Sequence, residues 1–212
     1  ILNYQSTNSQ ESELNKIIIE NDFGNGRLLS PPTQGSEKKI KLIPPKSILE
    51  KDKKAIVYLI KDRDKVWYKK LIKRFSNNER YDSKRIIFMD PLNQEDYLLH
   101  LGRASVLLDP IYYGAGNSFF ESMLFGTPSV TLPTEHIKSR LVLGAYKQME
   151  IKDAPIAEDI PNYIELAVNY ANRDDIGALK SKYRNAAEEK LFDTKKAGEE
   201  FNKVILNLFN LN

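Results

Sequence analysis

The chain of 212 residues contains no cysteine. That absence excludes disulfides, thiolate nucleophiles and zinc-thiolate sites, and it agrees with a reducing compartment, so a cytoplasmic location is expected. Histidine is nearly missing too. His100 and His136 stand 36 positions apart with no ligand-type spacing around them, and no metal site is expected. Long apolar runs are lacking: AIVYLI, at 55–60, falls far short of the ~20 residues that span a bilayer, so no membrane span is expected. The opening ILNYQSTNSQESE has neither a basic n-region nor an apolar h-region and lacks a starting Met. It reads as the beginning of a piece of something longer, without a secretory signal. An excess of one charge is missing as well. Thirty-two Lys and Arg face 29 Asp and Glu, a net +3, interspersed along the chain. The footprint of a nucleic-acid binder is absent, and nucleic acid is not expected as a partner.

What is present suffices for one substantial core or two small ones, at 41% hydrophobic residues. Residues 1–54 are rich in Asn, Ser, Pro and Lys, with one apolar run at 17–19 and breakers at Pro31, Pro32, Pro44 and Pro45. They read as a lead-in segment, or the remnant of a preceding domain, with one or two short strands. From Ala55 the rhythm changes: strand-like runs at 55–60, 85–89, 105–109 and 129–132 alternate with helical patterns at 65–75, 94–101 and 117–125. Asn93 is placed to cap the second of these helices, with Asp96 at the N3 position. Strands alternating with helices imply right-handed crossovers and a Rossmann-like parallel sheet flanked by helices. Residues 55–212 are therefore read as one α/β domain that ends in helices.

The stretch DPIYYGAGNSFFESMLFGTPSVTLP, at 109–133, holds the chemistry. In an open parallel sheet, ligands bind beyond the carboxyl ends of the strands, where loops lead into helices. Gly114 and Gly116 permit close backbone approach. A helix starting near Asn117 offers bare N–H groups and a positive dipole end, which suits a phosphate, and Asn117 and Ser118 can donate to an anion. Glu121, one turn on, shares the face of Asn117 and can accept two ribose hydroxyl protons. The competing reading is plainer: the glycines make a turn, Asn117 caps, and Glu121 is a solvated acid.

With its flanks, this stretch resembles the C-terminal catalytic half of the O-GlcNAc transferase and Spindly-like glycosyltransferase family. The resemblance rests on RIIF, LLD before the glycine loop, two small polar residues, an acid five residues before GTP, then VTLP, an acid and SR, all in order over residues 85–151. It implies the C-terminal half of a GT-B fold, a metal-independent glycosyltransferase without a cofactor, and a nucleoside diphosphate sugar, UDP-linked, as donor. It places Asn117 and Ser118 on the diphosphate, Glu121 on the ribose, Tyr97 and His100 on the helix bordering the base, and Leu92 and Gln94 on the loop that pairs with its edge. Gly114 and Gly116 line the phosphates, with Gly116 where animal members carry a histidine. Lys46 is the candidate to replace a family lysine in a shortened region. The expected partners are the nucleotide sugar, a protein or glycan acceptor, and a preceding N-terminal domain that supplies the acceptor surface; no residue here is persuasive as a general base.

Other residues keep two readings. His100 is a base contact or a half-buried helix histidine, and Tyr97 a stacking ring or core. Glu135 and Arg140 match the family's acid and SR, or form a surface ion pair. Tyr112 and Tyr113 flank the loop and can cover a sugar, Trp67 reads as packing, and the Lys-rich C-terminal helices as solvated faces. The rivals to a transferase are a nucleotide-binding regulatory module without activity and a structural α/β scaffold whose helical C-terminus is its partner surface.

Overall fold

The structure, a computed structural model, describes residues 16–19, 44–61, 63–76, 84–111 and 113–209. Five strands, β1 (Lys16–Ile19), β2 (Ile56–Ile60), β3 (Ile86–Met89), β4 (Val106–Leu108) and β5 (Ser129–Val130), form one parallel sheet in the order β3-β2-β1-β4-β5. The α-helices are α1 (Pro44–Lys51), α2 (Val66–Ser76), α3 (Gln94–Arg103), α4 (Asn117–Met123), α5 (Leu141–Gln148), α6 (Ile160–Ala171), α7 (Ile176–Ala186) and α8 (Thr194–Leu208).

The strands form where β-branched and aromatic residues alternate between two covered faces. Tyr58 pairs with Ile87 and Leu59 with Phe88, so neighbours in register share a face. Phe88 meets Tyr68 and Phe75 of α2 edge to face, whereas Tyr58 lies against His100 of α3 with ring centroids 6.4 Å apart. Helices α2 and α3 thus cover opposite faces, as right-handed crossovers require when the strand order reverses direction. Asn93 caps α3 by accepting from the Asp96 N–H at 2.8 Å, as its spacing predicts.

Residues ahead of Ala55 take part in the sheet. β1 lies in its middle, between β2 and β4. The arginine that opens β3 binds α1: Arg85 donates to the Leu49 and Asp52 carbonyls, both at 3.0 Å, and Asn172 beyond α6 donates to the Asp52 carboxylate at 2.8 Å. Residues 16–19 and 44–51 belong to this fold. A run of three isoleucines among polar residues was too short to announce a central strand.

After β5 the chain forms a 3-10 turn, Ile137–Ser139, followed by α5. The Ser139 hydroxyl donates to the His136 carbonyl at 2.8 Å and accepts from the Thr134 N–H at 3.0 Å, closing the backbone on itself there. Gly126 ends the segment after α4 with φ +67, and a Cβ there would lie 1.8 Å from the Lys180 carbonyl oxygen of α7. Lys180 in turn donates to the Gly102 and Ala104 carbonyls at the end of α3. None of α8 is buried, its apolar side included.

Candidate functional site

Because the sheet is parallel, every strand presents its carboxyl end on one edge. The order reverses at β1, so the β1–β4 boundary is the switch point where such sheets form a crevice. The loop after β4 begins there with Asp109, which is only 2% exposed.

Asp109 fastens the loop. One carboxylate oxygen accepts from the Ala115 N–H and the other from the Thr131 hydroxyl, both at 2.5 Å, while its carbonyl accepts from the Tyr163 hydroxyl of α6 at 2.9 Å. Burial pushes its carboxyl up to about 6, against the downward pull of those two hydrogen bonds. A second fastening comes from the 3-10 turn: the Gly114 N–H donates to the Lys138 carbonyl at 2.8 Å. A Cβ on Gly114 would sit 3.0 Å from that carbonyl oxygen and 3.2 Å from Asp109 Oδ1, so glycine is what lets the two segments close.

Gly116 then turns the chain into α4, and an added Cβ there would meet only Leu141 Cδ1, at 4.0 Å. No side chain caps this start, which faces Asn117, exposed, and Ser118, buried. The helix behind it is rigidly seated. Phe119 packs edge to face on Tyr146 at 5.2 Å, the Ser122 hydroxyl donates to the Phe119 carbonyl, and the Thr127 hydroxyl donates to the Leu101 carbonyl at 2.7 Å.

The other expected site residues divide. Gly114, Gly116, Asn117 and Ser118 are brought together by the loop, and half-buried Glu121 follows on α4. Leu92 and Gln94 lie on the same sheet edge, after β3, three strand spacings from β4, or ~14 Å. Tyr97 packs against the core. His100 lies ~9 Å along α3 from Gln94 and leans on Tyr58 within the sheet's cover. Arg140 donates to the Thr134 carbonyl at 2.8 Å. Tyr113 is exposed beside the loop, while Tyr112 and the side chains of Lys46 and Trp67 lie outside the described residues.

In the sequence, Asp109, Thr131 and Ser139 count only as letters of the LLD, VTLP and SR elements and carry no role, and Tyr163 does not figure. The available signal was an acid at the end of an all-apolar strand, followed within six residues by glycine. Among the described residues no cluster of three His, Cys, Asp or Glu could hold a metal ion.

The fold and its loop define a Rossmann-like α/β domain of the kind found as half of a GT-B protein. Residues 41–201 match the sequence profile of glycosyl transferase family 41, and the chain belongs to that family. Solved structures share the fold. An O-GlcNAc transferase variant from Thermobaculum terrenum superposes with TM-score 0.59 at 18% identity, covering 68% of this chain and 28% of the other. S. aureus TarM, solved in complex with fondaparinux, α-GlcNAc-glycerol and UDP, gives 0.61 at 17%, covering 98% and 38%. Sucrose-phosphate synthase from Thermosynechococcus elongatus gives 0.58 at 15%, covering 79% and 42%. The chain thus spans well under half the length of each of these proteins. No curated protein matches it.

Proposed function

We propose that the chain is the donor-binding half of a glycosyltransferase that moves a sugar from a UDP-linked nucleotide sugar to a protein or glycan acceptor in the cytoplasm. The observation that carries this is the doubly fastened loop, which leaves the start of α4 uncapped at the switch point of a family 41 domain. The diphosphate lies on the amides beginning at Asn117, between Gly114 and Gly116, and Ser118 adds its hydroxyl; Glu121 accepts from the ribose. The base extends along the sheet edge toward Leu92 and Gln94, bordered by Tyr97 and His100. Tyr113 covers the sugar.

In such a site the domain's chemical task is to stabilise the departing diphosphate, whose negative charge grows in the transition state. Oriented amides in a fixed loop do this without reorganising, and no metal or other cofactor is required of them. The acceptor, held in line, and the base that takes its proton belong to a preceding domain. Gly116 removes one donor that animal relatives have, which favours a second reading, a nucleotide-binding module without turnover.

A panel of UDP, GDP and their sugars, tested for protection against thermal unfolding, names the ligand by mass action. The UDP sugars are expected to raise the melting temperature. If no nucleotide does so, the donor-site reading fails; if UDP protects but no sugar is released by the chain joined to its preceding domain, the second reading replaces it.

A further inference from the structure

The glycine loop cannot balance an anion by itself. Two of its amides are already engaged: the Gly114 N–H donates to the Lys138 carbonyl at 2.8 Å, and the Ala115 N–H to the buried Asp109 carboxylate at 2.5 Å. Residues 110–118, PIYYGAGNS, carry no charged side chain, so the acid that fastens the loop is not offset within it. Each phosphoryl group of a diphosphate brings at least one negative charge, and neutral donors beside a carboxylate leave that charge unpaired. A cation has to come from another element.

The turn after β5 brings one. Lys138 touches the loop through its own carbonyl, and the Cα of Ser139 stands 3.4 Å from where a Cβ on Gly114 would be. A lysine stem carries its ammonium about 6 Å from the backbone, so the space over Gly114 and toward Gly116 is within its reach. Lys138 is exposed, and among the described residues no carboxylate pairs with it. Its turn is fixed in place: the Ser139 hydroxyl donates to the His136 carbonyl, and Arg140 is drawn back onto the Thr134 carbonyl at 2.8 Å. The other cations at this edge stand farther off. Those that follow β2 are two strand spacings from β4, ~10 Å, and of them Lys61 is held by Asp90 at 2.9 Å. Lys147 lies ~9 Å along α5 from Leu141.

We propose that Lys138 is the counter-ion of the donor's diphosphate, reaching over Gly114 from the turn after β5. The inference rests on the donor-site reading above and adds the cation for which the sequence offered only Lys46. One residue then has two separable tasks. Its carbonyl sets the position of Gly114, whatever the side chain, while its ammonium meets the phosphoryl oxygens in charge-assisted hydrogen bonds.

The test titrates UDP and uridine against the chain as it stands, reading both as protection from thermal unfolding so that a weak ligand is still registered. Lys138→Gln is expected to weaken UDP about tenfold and uridine less than about twofold, and to flatten the salt dependence of UDP binding between about 50 and about 200 mM. Lys138→Arg is expected to stay within about threefold of the native protein, because it keeps the charge. Without ligand, the melting temperature of the Gln variant should move by less than about 2 °C, since the side chain is exposed and the carbonyl that holds Gly114 is kept. Equal UDP affinity in native and Gln proteins overturns the inference and leaves the donor site standing. So does an equal loss for uridine, which would make Lys138 a support of the pocket rather than a charge on the phosphate. If the native chain is protected by neither ligand, the donor-site reading itself fails and the inference falls with it.

Discussion

Replacing Asp109 by Asn isolates the loop fastening from the rest of the molecule. The amide keeps an oxygen for the Ala115 N–H and offers a donor to the Thr131 oxygen, so the geometry survives while the ionisation is removed. In the native protein the Asp109 carboxyl stands at about 6, against 3.8 ordinarily. Between those values the folded state holds a proton that the unfolded chain has released, so stability is fully present below about pH 4 and falls as pH rises through about 6. At about 1.4 kcal/mol per pH unit, the loss amounts to roughly 3 kcal/mol. Urea unfolding of both proteins from about pH 4 to about pH 7 reads it directly. Asp90, Asp153, Asp175 and Glu150, all held low by lysine or arginine partners, impose the opposite trend, but they act equally in both proteins. The difference between native and variant should therefore shift by roughly 3 kcal/mol in favour of Asn as pH rises. A flat difference would show that Asp109 is not desolvated as its burial implies.

Gly126→Ala forces a Cβ onto the Lys180 carbonyl at positive φ and should cost about 3 kcal/mol or more, lowering the melting temperature by about 6 °C or more in calorimetry. Glu121→Ala should weaken UDP-sugar binding about tenfold by calorimetry. Ser139→Ala strips the hydrogen bonds of the 134–139 turn and should cost about 2 kcal/mol; donor affinity should fall with it, because that turn holds Gly114.

Elements with a strong local rhythm were legible in the sequence. β2, β3, α2 and α3 sit within a residue or two of their expected bounds, and the Asn93 cap lies where its spacing puts it. The glycine loop was legible as a place, since strand, glycines and helix signal follow one another in fifteen residues. Its means of support was not. Asp109 meets Thr131 from 22 positions away and Tyr163 from 54, and such long-range hydrogen bonds leave no periodic trace. β1 was legible only as a short strand of a lead-in, because its central place depends on neighbours supplied forty and ninety positions later.

That placement of β1 governs how the protein can be cut. A shorter version begun at Ala55 would lose the sheet's midline, leaving β3–β2 and β4–β5 as two ribbons with bare inner rims of unpaired amides and carbonyls. Such a fragment should precipitate or pair with its own copies, whereas one that keeps Lys16–Ile19 retains a continuous sheet.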